Sequence, residues 1–187
     1  MKKDNLKCSY KDFLLLIGLC NKDHQNELFD ILKHQECPSY LCKRKIPKDL
    51  NKISYGQLDD LQTASEAEDP FFETAKILLG VNKKEFQEED VNDIFGFINF
   101  VTNEVNRINK IFSSIKPSYS SEEKMAGVES LDFGAFGVLD WYAQRMHIAN
   151  QNDVRDIAWV RIFQCMKNDN DKNEYERRLS KVYQKKK

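Results

Sequence analysis

The residues best equipped for chemistry in this 187-residue chain are its five cysteines and three histidines, His24, His34 and His147. Five of these eight, Cys20, His24, His34, Cys37 and Cys42, fall in one stretch and are the ligand types of a zinc site. Zinc requires four such ligands converging tetrahedrally. The spacing is not a paired C-x-x-C knuckle, and Cys20 closes an apolar helical stretch. Ordinary buried cysteines, surface histidines and no bound metal are therefore expected. Cys8 or Cys165 would need a positioned base to act as a nucleophile, and nothing in the sequence links either to His147.

Phosphate-binding loops need clustered glycines, and the chain has no Walker A or G-x-G-x-x-G match. Phe133-Gly134-Ala135-Phe136-Gly137 is aromatic and sits in a helical pattern, which points to close packing. Glu88-Glu89-Asp90 reads as a helix N-terminus that favours negative charge, not as an acid/base dyad. The expectation is no catalytic residue, no cofactor and no enzyme: a protein that acts by binding or assembly.

Partner binding shows in the aromatic segments. Trp141, Tyr142 and Arg145 combine types enriched at interface hot spots, and Trp159 with Arg161 repeats the theme. These five are the candidate partner-binding residues, core packing being the competing role of each aromatic. For nucleic acid, the basic clusters are Lys43-Arg44-Lys45 and the Lys185–Lys187 tail. Both are short and lack the interleaved aromatics of a stacking platform, so a helical nucleic-acid-binding regulator is the weaker expectation.

The elements that must position these residues are helices. Hydrophobic residues make up 41% and charged residues 32%, which is globular composition, and seven glycines with four prolines argue against an all-β chain. Net charge is −1 but unevenly spread: residues 1–52 carry +4, 53–95 carry −8, 96–171 carry −2 and 172–187 carry +5. The acidic middle and basic end can attract one another within a chain or between copies. The apolar run Phe13–Leu19 is too short for a membrane span and lacks a signal-peptide cleavage site. An odd number of cysteines suggests free thiols in a reducing compartment, and no membrane partner is expected.

Residues 10–19 and 24–34 read as short helices, and 37–53, broken by Pro38 and Pro47, as a loop with at most one helical turn. Ser54 with Gln57, and Ser120 with Glu123, have capping-box spacing. Asp69-Pro70 starts a helix that Gly80 stops. The strongest pattern spans 88–115, where Val91, Ile94, Ile98, Val101, Val105, Ile108, Phe112 and Ile115 alternate steps of three and four until Pro117. Phe95, Phe97 and Phe100 widen the apolar surface beyond one coiled-coil seam. Asp132 is placed to cap a helix reaching Met146, with Phe133, Phe136, Leu139, Ala143 and Met146 on its buried side. Gly134 and Gly137 would let another backbone come close. Asn152 or Asp153 caps the next helix, and a polar break at Asn168–Asp171 precedes a last one. The expected fold is all-α, a helical bundle of about seven helices around a long central helix at about 88–115. Its parts are an N-terminal segment 1–52, a main bundle 53–183 and a basic tail 184–187 that frays.

Three stretches together are similar to small helical proteins of tailed bacteriophages. They are Ile53-Ser54-Tyr55-Gly56-Gln57-Leu58-Asp59-Asp60-Leu61, Leu131-Asp132-Phe133-Gly134-Ala135-Phe136-Gly137 and Asp156-Ile157-Ala158-Trp159-Val160-Arg161-Ile162. They resemble the head-to-tail ring proteins and tail-assembly chaperones of the crAss-like phages, over roughly residues 53–183. The resemblance implies an all-helical subunit that works in multiple copies beside portal or tail proteins. It implies a place in the virion and, during assembly, in the host cytoplasm. It brings no catalytic residue.

Overall fold

Short polar side chains start the helices. In a computed structural model, which describes residues 8–117, 119–131 and 133–184, Ser9 accepts from the Asp12 amide at the head of α1, Tyr10–Leu19, and Asn21 from the His24 amide at the head of α2, Lys22–Leu32. Each satisfies an amide that the first turn leaves without an intrahelical partner. The other helices are α3 (Tyr55–Thr63), α4 (Pro70–Leu79), α5 (Lys83–Gln87), α6 (Val91–Phe112), α7 (Ser121–Met125), α8 (Gly134–Met146) and α9 (Trp159–Gln184). Short 3-10 turns join them at Ala64–Glu66, Val128–Ser130 and Gln151–Asp156. The fold is all-α, as the sequence patterns require, though cut into more pieces than the seven expected.

Both predicted capping boxes form. Ser54 and Gln57 exchange bonds of 3.1 Å each, and Ser120 and Glu123 exchange bonds of 2.7 and 3.2 Å. Asp69 caps α4 with Pro70 in its first turn, and Gly80 closes it in the left-handed conformation, φ 62°.

The chain divides into two compact units. The first comprises the chain up to Leu50 together with Asp60–Asn106; the second comprises Asn51–Asp59 together with the chain from Arg107 onward. One cut falls between Leu50 and Asn51, two residues from the expected boundary after 52, and the other two fall inside α3 and α6, within the stretch 53–183 read as one bundle. Contacts between residues far apart in the chain, not composition, set these boundaries.

In the first unit, Phe13, Phe29, Phe71 and Phe95 form an aromatic cluster with centroids 5.0 to 6.1 Å apart. Residues 37–53, read as a loop, contain a small antiparallel hairpin, β1 (Tyr40–Leu41) with β2 (Arg44–Lys45). Its two turn residues, Cys42 and Lys43, have φ of 49° and 62°, as a type I′ turn requires. Glu89 accepts from the Cys42 amide at 2.6 Å, Arg44 pairs with Glu85 at 2.8 Å, and Glu104 accepts from the Leu50 amide. Carboxylates on other elements thus hold the segment where no Asn-Gly turn signal exists. Gly96, in mid-α6, leaves room for the Glu36 carbonyl, which a β-carbon would strike.

The seam of α6 is narrower than its pattern. Val91, Ile94, Val101 and Ile108 are buried, Ile98, Val105 and Phe112 only half-buried, and Ile115 lies beyond the helix end. A straight helix drifts about 20° per heptad from a 3.5-residue repeat, so one strict stripe cannot stay inside. Phe95 and Phe97 are buried instead.

In the second unit, the strand-like segment before α3 pairs with the one before α9. Tyr55 donates to the Ile157 carbonyl at 2.8 Å and Trp159 to the Ile53 carbonyl at 3.3 Å. Arg155 locks this joint, donating to Asp59 at 2.8 Å and to the Gly56 carbonyl at 3.3 Å. The helix expected to start at Asn152 or Asp153 begins at Trp159; Asn150 caps the preceding 3-10 turn. No break occurs at Asn168–Asp171, because neither glycine nor proline follows Gly137 in the sequence and polar residues cost a helix only about 0.5 kcal/mol each. Gln184, assigned to the tail, ends α9; Lys185–Lys187 and the predicted cap Asp132 lie outside the described residues.

Candidate protein-interaction surface

Trp159 and Tyr142, two of the five expected interface residues, are core residues. Trp159 is 2% and Tyr142 1% exposed. The Trp159 ring packs on Phe112 at 5.9 Å, and its amide belongs to the joint with Ile53. Rings of this size stabilise the second unit chiefly through the apolar surface they bury. They are not available to a partner.

The other three remain at the surface. Trp141 is half-buried, edge-on to Tyr142 at 6.0 Å. Arg145, in the last turn of α8, holds Asp169 of α9 with two bonds of 2.9 and 3.1 Å, the bidentate geometry in which arginine exceeds lysine. Arg161 is exposed on α9. The structure therefore joins Trp141 and Arg145 on α8 and commits Arg145 to an internal clamp, with Arg161 solvent-facing.

The chemistry-bearing residues of the first unit stay apart. Among the described residues, no three His, Cys, Asp or Glu side chains come together as metal ligands. Burial first, then Glu89, pushes the Cys42 thiol up to about 12. Burial raises Cys8 and Cys37 as well, with Asp90 and Asp93 respectively adding to it. These thiols are held as thiols, and it is the thiolate that binds metal or attacks. The basic cluster 43–45 occupies the hairpin, with Arg44 already paired to Glu85.

What pattern-reading missed is apolar and exposed. Phe133 and Phe136, expected inside, are 70% and 63% exposed, and Leu131 and Met125 are exposed with them. Phe133 precedes α8 rather than lying on its buried face; Leu139 and Ala143 are buried as expected, and Tyr142 is buried where Phe136 is not. A Cβ at Gly137 would meet the Phe133 side chain and one at Gly134 nothing within 4 Å, so no second backbone lies against either. On the first unit, α1 buries only Tyr10 and Phe13 and leaves Leu14, Leu15, Leu16 and Leu19 exposed. The signal was present in the run Phe13–Leu19, which is apolar on every side of the helix.

A polar groove between α7 and α9 is lined by Glu122, Glu123, Arg177, Arg178 and Lys181 among others, with Arg177 bonded to Glu123 at 3.0 Å. Its mixed charge favours neither anion nor cation. No helix among the described residues is long and apolar enough to cross a membrane. No family model, curated protein or solved structure matches the chain.

Proposed function

We propose that the chain acts by protein–protein assembly, without catalysis, as a structural subunit of a tailed-phage particle in the ring at the portal–tail junction. The observation that carries the assembly part is the exposure of Met125, Leu131, Phe133 and Phe136. Four large exposed apolar side chains within twelve residues, where a single one would need no explanation, suit a surface that another protein covers. The phage part rests on the resemblance of residues 53–61, 131–137 and 156–162 to small phage proteins. A tail-assembly chaperone is the second reading, since the same apolar surface suits transient binding of an aggregation-prone tail protein.

Mass spectrometry of purified particles separates the two. A ring subunit is retained in the finished particle, whereas a chaperone is absent from it. A mobility shift on nucleic acid that falls steeply with salt would instead favour the regulator.

A further inference from the structure

We infer that residues 120–131 form a latched arm. Glu123 and Arg177 hold it on α9 in the free chain, and it opens by melting α7, so that Met125 and Leu131 are fixed in place only once a partner covers them. The inference rests on the assembly reading and adds how that surface is regulated.

The segment belongs wholly to the second unit and is thinly anchored there. No described residue between Ile108 and Leu139 is buried, and neither α7 nor the Val128–Ser130 turn contributes one. Met125 and Leu131 are 81% and 62% exposed. A polar groove of about 1070 Å³ runs between α7 and α9 in place of packed apolar side chains. Other bonds of the segment close within it: Lys124 pairs with Glu129 at 3.1 Å, and the Ser130 hydroxyl donates to the Gly127 carbonyl at 2.7 Å. A helix of five residues does not persist by itself, because its first turn costs more than one turn of bonds returns.

Glu123 joins the two functions that keep α7 in place. One carboxylate oxygen accepts from the Ser120 amide at 2.7 Å and closes the capping box, while the other accepts from the Arg177 guanidinium at 3.0 Å. Arg177 thus orients the side chain that caps α7, and its loss loosens helix and attachment together. The two side chains of the pair are 37% and 44% exposed, so water and salt weaken it. A weak tie lets the arm open while the core of the unit stays closed.

Hydrogen exchange on the full chain tests this. The amides of Lys124, Ala126 and Gly127 donate to the Ser120, Glu122 and Lys124 carbonyls, and are protected only while α7 is formed. In the wild type they should exchange at least about a hundredfold faster than those of Tyr142 and Ala143, corrected for intrinsic rates. Arg177→Gln, and Glu123→Gln, which keeps a residue able to cap, should each speed them a further two- to fivefold or about that, leaving α8 exchange and thermal melting unchanged. Salt at about 1 M should do the same to the wild type without a substitution. Amides of α7 as slow as those of α8 overturn the inference. So do fast amides indifferent to Arg177, Glu123 and salt, which mark a frayed segment with no latch, and an equal acceleration in α8, which assigns the pair to global stability. In purified particles that hold the chain the same amides should slow by about tenfold or more, and no slowing there overturns the inference too. If the free arm opens as expected but the chain is missing from particles, the latch stands and the ring assignment falls. If the chain is in the particles and its free arm stays closed, the latch falls and the ring assignment stands.

Discussion

The carbonyl oxygen of Glu36 lies against Gly96, inside the distance at which any β-carbon at that position would collide with it. The chain between α2 and the hairpin is thereby laid directly on the middle of α6. Gly96 itself lowers helix propensity, and this backbone approach is what it makes room for. Gly96→Ala is expected to destabilise the protein by about 2 kcal/mol or more, because backbone rather than a flexible side chain must move. Gly18→Ala in α1, where nothing lies within 4 Å, should stabilise by about 0.5–1 kcal/mol. Thermal melting of the two variants should move in opposite directions.

Burial on α6 ranks its residues for substitution by charge. Phe97 and Ile108 are wholly buried, and Phe97→Asp or Ile108→Asp places an unpaired carboxylate where no water reaches. Each should abolish cooperative unfolding at room temperature. Ile98 is only half-buried, so Ile98→Asp should leave a folded protein with a lowered midpoint in urea. A wild-type midpoint for Ile108→Asp would show that α6 is not the core helix.

Arg145 and Arg161 separate internal support from partner contact. Arg145→Ala loses an exposed ion pair with Asp169 and should lower the melting temperature only slightly, because water screens such pairs. Arg161→Ala should leave melting unchanged. Arg161→Ala, exposed on α9, should weaken a partner complex more than Arg145→Ala or removal of Lys185–Lys187, whose charge salt screens within about 8–10 Å. Truncating those lysines should change the rate and salt sensitivity of assembly more than its endpoint.

Asp93 gives a pH dependence with a definite sign. Burial, then the neighbouring Asp90 and Glu89, raises its carboxyl above the ordinary range. A group whose folded-state affinity for the proton is raised favours the fold while protonated and loses that contribution as pH rises through its folded value. Asp93→Asn should therefore raise the melting temperature at neutral pH. The difference from wild type should vanish on acidification below the ordinary carboxylate value. A variant less stable than wild type at neutral pH would contradict this.

The sequence by itself determined the helical class, both capping boxes and the bounds of α4, because those depend on atoms a few residues apart. Ser120 reaches Glu123, and Gly80 takes the left-handed conformation, wherever the helix is placed. Only the tertiary structure decided which side of each helix faces inward and where distant segments meet. α8 could bury Phe136 or Tyr142 with similar propensity, and packing in the second unit chose Tyr142. The hairpin at Tyr40–Lys45 carries no turn signal, and depends on Glu89 and Glu85, more than forty residues away. Asn168–Asp171 looked like a break, yet Arg145 reaches Asp169 from twenty-four residues away and α9 runs through it. Local hydrogen bonds are written in neighbouring residues, whereas burial is settled by contacts that close only once the chain has folded.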